Sequence, residues 1–530
     1  MGWQSLCFPN SLSTIEKEFD MALAKIYSIA LLGVAGHVVE VEADIAEGVP
    51  AFNLLGLPDA ALSESRDRVR SALINSGEGW PNKRTTVALS PASLPKRGSG
   101  FDLAVALSLL AGEMKIPSDG MDSTVVLGEL SLDGRIRTIS GALPAMVVAR
   151  DAGFTRAIVP RVNLAEASLI PGIEVFGFSQ LRNVVSFLRG LEFTEDDDIE
   201  VVDEPLEVPD LCDVLGQYEA RRAIEIAAVG EHHLLMMGTP GAGKTMLAER
   251  LPSIMPPLDT DAAIEVTSIH SIVGLIKGSS PLLRTPPFVA PHHTATRSAI
   301  IGGGMNQPRP GAISLAHRGV LFLDEAPEFV SGVLDALREP LESGQVTLSR
   351  TGGTALFPAR FLLVLAANPC PCGRFTGDGR ACNCTPLAIR RYLSRLSGPL
   401  LDRVDLQIFV EPVSRVALAA SDMGESSALV RDRVLAARDR ASVRLSGSGF
   451  ATNSQVSGSA LRREFSASDD AMALIHRELE HHRVTARGLH KVLRVAWSIA
   501  DLAGHDQPRR EDVAEAYLLR SGISQLVGAT

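Results

Sequence analysis

Long apolar runs and any broad excess of positive charge are missing from this chain of 530 residues, and cysteines and aromatics are few. A membrane helix requires ~20 consecutive apolar residues, and the segment Ile26–Val34 is too short to serve. The first twenty residues hold one lysine, Lys17, and no apolar centre, so no secretory signal is expected. Six cysteines, four of them bunched between positions 370 and 384, do not form a disulfide framework and point to a reducing, cytoplasmic setting. Three Trp and four Tyr are too few for a platform on which nucleic-acid bases stack.

The net charge of −11 is local. Residues 191–210 (LEFTEDDDIEVVDEPLEVPD) carry ten acidic side chains and no basic one, which reads as a solvated, self-repelling linker. Without it the chain is close to neutral. A nucleic-acid partner is therefore compatible with the charge, but it must be gripped locally.

The length exceeds one hydrophobic core, and the patterning divides it. Residues 1–20 show no clear periodicity, so Met1 and Met21 are both candidate starts. Residues 21–190 alternate strand-like and helix-like runs: HVVEVEADI from His37, a helix over Ser63–Ser76, TTVALSP from Thr85, a helix over Phe101–Ala111, STVVLGELSLDG from Ser123 as a hairpin, and AIVP at Ala157. After the linker, residues 211–412 form a second α/β block. Residues 413–530 show helical periodicity and no convincing strand.

Chemistry concentrates in the second block. The buried-strand run HLLMM feeds Gly238-Thr239-Pro240-Gly241-Ala242-Gly243-Lys244-Thr245 and then a helix-like MLAERL. This is a phosphate-binding loop in its strand–loop–helix context. Glycines allow backbone N–H groups to approach phosphates, Lys244 is placed for the β- and γ-phosphates, and the Thr245 hydroxyl completes a Mg²⁺ shell. About eighty residues on, the strand Val320–Leu323 ends in Asp324 and Glu325, which suit the ion's water shell and the attacking water respectively. A further strand, Phe361–Ala367, ends at Asn368, where an amide can sense water or the γ-phosphate. Arg403, in LLDRVD, and Arg487, in TARGLHKVLRVAWSIADL, are candidate phosphate contacts, Arg403 toward a neighbouring subunit's nucleotide.

The order GTPGAGKT, VLFLDE, AANPCPCG, SGPLLDRVDL and TARGLHKVLRVAWSIADL resembles the Mg-chelatase-like AAA+ ATPases of the ComM/YifB family. The likeness runs from about Met21 nearly to the end and includes GLPDAALSESRDRVRSAL, PKRGSGFDLAVAL, LGELSLDG and APHHTAT. It implies a hexameric ring ATPase that binds Mg·ATP, whose family members drive branch migration of recombination intermediates. In its terms Lys244, Thr245, Asp324, Glu325 and Asn368 are nucleotide-site positions, Arg403 the arginine finger, Arg487 the sensor 2 arginine, and Gly216-Gln217 the short motif near the adenine. One position departs: the acidic residue usual after the glycine of PGAISLAH is Ala312 here.

The front block is similar to the proteolytic domain of the Lon family, with an S5 domain 2-like fold. Gly100 falls at the nucleophile's position, one residue from Ser99, and Pro144 falls where the catalytic lysine would sit. Proline cannot act as a base, so the expectation is a Lon-like fold without protease chemistry.

Two further features stand out. Cys370-Pro-Cys372 and Cys382-Asn-Cys384, with nine residues between the pairs, offer four thiolates suited to structural zinc, although C-x-C departs from the commoner C-x₂-C; reduced, packed cysteines are the alternative. QVTLSRTGGTAL from Gln345 reads as a hairpin, with Arg350 near its tip as a phosphate contact; Arg297 and Arg309, among glycines in the preceding insert, are candidates for a second loop. His292 and His293, adjacent on an extended segment, are expected to point opposite ways.

The sequence thus predicts an α/β chain with a Lon-like front domain, an AAA+ core and an all-helical lid. Its expected function is an ATP-driven, cytoplasmic ring motor on branched DNA. A chelatase-type motor subunit, remodelling a protein partner for Mg insertion into a porphyrin, is the alternative.

Overall fold

A computed structural model describes residues 23–56, 64–94, 96, 98–194, 208–276, 281–304, 308–350, 353–375, 380–413 and 424–527, the last six by backbone alone. Outside the described residues lie the N-terminal extension with Met21, residues 195–207 of the acidic segment, Pro95, Arg97, the hairpin tip Thr351-Gly352 and part of the loop between the cysteine pairs. The chain divides into two compact units, one essentially up to Val202 and one mainly from Asp203 onward.

The first unit is built on a mixed seven-stranded sheet. Its strands are β1 (Leu23–Leu32), β2 (Ala35–Ala46), β3 (Ala51–Leu55), β4 (Arg84–Ser90), β5 (Thr124–Val126), β6 (Arg156–Pro160) and β7 (Glu174–Phe178), in the spatial order β3-β4-β2-β1-β5-β6-β7. β2 and β4 run antiparallel, while β1, β5, β6 and β7 pair in parallel. The helix Asp102–Gly112 (DLAVALSLLAG) has no polar face and is buried along its whole length. Its Asp102 carboxylate accepts from Arg68 Nε at 2.7 Å. Burial pushes that carboxyl up to about 6, against the pull of Arg68.

One expected hairpin is displaced. Thr124–Val126 is buried at every residue and joins the large sheet, whereas the short antiparallel pair is Glu129–Leu130 with Ile136–Arg137. Consecutive buried residues mark a strand covered on both faces, and only the stretch after Gly128 alternates. β1, β3 and β7 carry no strong sequence pattern; β3 and β7 are sheet edges, where one flank has no strand to constrain composition.

The second unit carries a five-stranded, all-parallel sheet. Its strands are β8 (Leu234–Gly238), β9 (Phe288–Val289), β10 (Val320–Leu323), β13 (Leu362–Ala367) and β14 (Leu406–Val410), ordered β9-β10-β13-β8-β14. The antiparallel hairpin β11 (Gln345–Arg350) and β12 (Gly353–Pro358) precedes β13. Alternate residues of the parallel strands feed two cores. Met236, Phe322, Val364 and Ile408 pack with the helix Tyr218–Gly230 and the C-terminal helices, while Met237, Leu323, Leu365 and Ala367 pack with Ile313, Phe329 and hairpin residues Val346 and Phe357. Both faces are covered, so the strands read as continuous apolar runs. Past Pro412 the described residues form helices only, chiefly Ser427–Leu445, Asp469–Glu480, Ala486–Ala503 and Arg510–Val527. Among the described residues no helix is long and apolar enough to cross a membrane.

Candidate nucleotide site

Register places the site. Met237 pairs with Ala367 and Leu323 with Leu365, so the carboxyl ends of β8, β13 and β10 lie side by side. In parallel α/β sheets ligands bind beyond those ends. Gly238 closes β8 against its neighbour: a Cβ there would meet the Val410 carbonyl oxygen at 2.4 Å. Gly241 and Gly243 have φ of +77° and +91°, so the loop turns through conformations that favour glycine before the helix Lys244–Glu249 begins.

The side chains of four expected residues converge there. Lys244 Nζ donates to the Gly238 and Thr239 carbonyls at 2.8 and 3.0 Å and to Asn368 Oδ1 at 3.2 Å. Thr245 Oγ1 donates to Asp324 Oδ2 at 2.8 Å, and the Glu325 N–H donates to Asp324 Oδ1 at 2.8 Å. Lys244 is buried, which pulls its ammonium below the ordinary lysine range, while Asp324 and then Glu325 oppose the shift. Thr245 and Glu325 are exposed. The arrangement brings a cation, a hydroxyl, a side-chain amide and two carboxylates to adjacent strand tips, groups of the kind that position a nucleoside triphosphate and its divalent ion.

Gln217, which follows Gly216, also meets the loop. Both have positive φ, and Gln217 Nε2 donates to the Ala242 carbonyl at 2.6 Å and to the Glu411 carbonyl at 3.1 Å. Arg487 is largely exposed, 3.9 Å from Asp402. Arg403 is tied within its own chain, donating to the Pro399 carbonyl at 2.7 Å and pairing with Glu342.

The two histidines correct the sequence reading. Their rings lie together, with centroids 4.1 Å apart, because the segment is a turn closed by the Ala295 N–H on the His292 carbonyl at 2.8 Å. His293 Nδ1 thereby stands 3.3 Å from Glu325 Oε2, a neighbour that sequence reasoning missed. The APHHTAT turn has no periodicity from which that contact could be read.

The four clustered cysteines also converge. Cys370, Cys372 and Cys382 have sulfurs 3.4–3.7 Å apart, and the Cys384 sulfur completes a set within 4.8 Å. Tetrahedral zinc with Zn–S bonds of ~2.3 Å requires sulfurs about 3.8 Å apart, so the donor set fits that ion. The Arg374 N–H, and then the neighbouring Cys370, pull the Cys372 thiol down to about 6. Gly373, at φ +74°, lies so close to Pro240 that a Cβ would meet its ring at 2.5 Å. The cysteine loop is thus seated against the phosphate loop.

The hairpin forms where expected, closing at Arg350 opposite Gly353. Arg350 Nε donates to the Gly304 carbonyl at 3.0 Å. Arg350 and Arg297 line one cavity of about 410 Å³ with Gln345, Thr347 and Pro340. Arg309 is exposed and pairs with Gly303 on a separate two-residue ladder. In the first unit, Ser99 donates to Glu129, Lys96 is buried and donates to the Pro91 carbonyl, and Pro144 sits buried in the helix Ala142–Asp151.

Three family models match the chain: "Magnesium chelatase, subunit ChlI" over residues 210–418, "Subunit ChlI of Mg-chelatase" over 41–163, and "Magnesium chelatase, subunit ChlI C-terminal" over 424–520. The chain is 40% identical to the competence protein ComM of Haemophilus influenzae over 513 residues, 96% of this chain and 99% of that one. It is 41% identical to protein YifB of Escherichia coli over 503 residues, 94% of this chain and 97% of that one. Similarity to the magnesium-chelatase 38 kDa subunit of Rhodobacter capsulatus is 26% over 171 residues, 29% of this chain and 49% of that one.

Proposed function

The chain belongs to the magnesium-chelatase ChlI family of AAA+ proteins, alongside ComM and YifB, and we propose that it is an ATP-hydrolysing ring motor acting on branched DNA. The observation that carries the ATPase reading is the convergence of Lys244, Thr245, Asp324 and Asn368 at three adjacent strand tips. In this reading the loop Gly238–Thr245 cradles the phosphates and Gln217 lies toward the adenine. Thr245 and Asp324 hold the Mg²⁺, which draws charge from the phosphate oxygens when bound. Glu325 takes a proton from the attacking water, and Asn368 orients that water against the γ-phosphate. Arg487 meets the phosphates from the lid, and Arg403 reaches the nucleotide of the next subunit in a homo-oligomeric, hexameric ring. Arginine supplied in trans contributes roughly 10³–10⁵ in rate.

DNA is favoured by the hairpin, whose Arg350 shares a cavity with Arg297, and by the competence role in one relative's name. The front domain is a Lon-like module without the protease dyad, since Ser99 is bonded to Glu129 and Pro144 replaces the base. The four cysteines hold a structural zinc ion beside the phosphate loop.

The test is the ATPase rate with four-way junction, single-stranded and duplex DNA, with Lys244→Ala as the blank. Strong stimulation by the junction is expected. A Lys244-dependent rate indifferent to every DNA would favour the second reading, a chelatase-type motor on a protein partner, which the three family matches support.

A further inference from the structure

The tripeptide that carries Arg403 into β14 is held from the C-terminal helices. Lys491 Nζ donates to the Arg403 carbonyl at 2.8 Å and to Asp405 Oδ1 at 2.6 Å. Arg520 donates to the Val404 carbonyl at 2.6 Å. On its other side, Asp405 Oδ2 faces His232 Nδ1 at 3.4 Å, and His232 Nε2 is bonded to Ser498 Oγ at 2.8 Å. Lys491 and Ser498 lie on the same helix, Ala486–Ala503. Asp405 is 3% exposed. Burial alone would raise its carboxyl, yet Lys491 and then His232 hold it well below the usual carboxylate range.

An ion pair this deeply buried is a costly way to join two elements, because apolar residues of similar volume hold them together at least as firmly. What the pair adds is direction. Lys491 fixes where the Arg403 carbonyl sits, and with it the base of a side chain that among the described residues is otherwise held by Pro399 and Glu342. Arg487 lies one turn earlier on the same helix and is 84% exposed. Arg487 and Lys491 lie one turn apart on that helix, so a shift of this turn toward a ligand at Arg487 would carry Lys491 with it.

We propose that Lys491, through Asp405 and the Arg403 carbonyl, is a positioning residue that sets the reach of Arg403 toward the neighbouring subunit according to the nucleotide held by its own. The inference rests on the ring-ATPase reading and adds a route from one subunit's lid to the next subunit's reaction.

Mixed rings test it. An acceptor subunit, Arg403→Ala, keeps its own phosphate loop, and a donor subunit, Glu325→Gln, keeps its nucleotide and its finger. Each alone is expected to be nearly inactive, and an equal mixture to regain ATPase activity. Lys491→Met added to the donor should cut the regained rate at least about tenfold, within the ~5–150-fold usual for coupled sites. The same substitution added to the acceptor should leave the regained rate within about twofold, since that subunit's finger is already absent. Equal loss in both arms would mean that Lys491 serves only lid packing, and no loss in either would mean that it does not act on Arg403; each overturns the proposal. No recovery in the parent mixture would overturn the trans-acting finger itself, and this inference with it.

Discussion

Thr245 Oγ1 donates to Asp324 Oδ2 at 2.8 Å although β13 stands between the strands that carry them. The hydroxyl and the carboxylate are therefore already within reach of one ion, and the ion need only replace a hydrogen bond. Asp324→Asn keeps the oxygen that accepts from Thr245 and removes the charge. Its expected effect is a rise of about 10–100-fold in the Mg²⁺ concentration for half-maximal ATPase rate, the range seen when ligand-shell partners are altered. A magnesium titration at fixed ATP checks this; an unchanged midpoint would remove Asp324 from the ion's shell.

Glu325 sits at φ +50°, in the left-handed region, which turns its exposed carboxylate away from the continuing strand and toward His293. Non-glycine residues in that region cost backbone energy and cluster at functional sites. Glu325→Gln should lower kcat by ~10²–10⁴-fold, the contribution of a general base. Binding of a fluorescent ATP analogue should stay within about threefold of the parent. Loss of binding in step with kcat would make the residue structural.

Metal removal has its own signature. The cysteine loop begins two residues after Asn368 and bears on Pro240 through Gly373, so a zinc ion held there would brace both sides of the phosphate site and its removal would loosen them. Purified protein should carry about one zinc per chain. Cys384→Ser should lower zinc content and thermal stability together, with kcat reduced more than ATP affinity. Full zinc content in that variant would leave the cysteines as packed thiols.

The site was more legible in the sequence than the front domain. A phosphate loop is a contiguous motif, and β10 and β13 are apolar runs that stop at polar residues, so Asp324, Glu325 and Asn368 could be named from local pattern alone. Their convergence depends on sheet order, which placed β13 between β8 and β10. The edge strands β3 and β7 and the displaced hairpin were hidden because their alternation is weak or belongs to a strand covered on both faces. His293 and Lys491 were missed for a different reason. Each lies in a segment that carries the family likeness, APHHTAT or TARGLHKVLRVAWSIADL, yet acquires its role from a partner distant in sequence, Glu325 or Asp405, which no local pattern names.

The hairpin makes a separable prediction. Arg350 is exposed, with its guanidinium on the Gly304 carbonyl and on its neighbour Ser349, and it makes no hydrogen bond to the phosphate loop. Arg350→Glu should therefore leave the DNA-free ATPase rate within about twofold while abolishing most of the stimulation by junction DNA. Because each neutralised phosphate releases counterions, the salt dependence of any residual binding should flatten by about one unit of slope for every phosphate no longer neutralised. Equal stimulation of parent and variant would move the DNA-binding surface elsewhere.

His233 supplies a pH dependence whose sign follows from its hydrogen bond. Its Nδ1 accepts from the Leu363 N–H at 3.1 Å, tying the start of β8 to β13, so the ring must be neutral there. Burial pushes the imidazole from its ordinary 6.5 down to about 4, with nearby Asp405 opposing and Lys491 assisting. A histidine with a depressed folded-state value binds fewer protons folded than unfolded between those two limits. Stability therefore rises with pH across that window and is lost as pH falls from about 6.5 toward 4. The residue is half-buried by surface area, so the loss is on the order of 2 kcal/mol, below what the full shift would give. His233→Asn, whose amide oxygen can accept the same hydrogen bond without titrating, should flatten the fall in Tm between pH 7 and pH 5. An unchanged slope in that variant would assign the acid sensitivity to another histidine that burial depresses, His270 foremost, and not to Asp405, whose depressed carboxyl withdraws stability only below the usual carboxylate range.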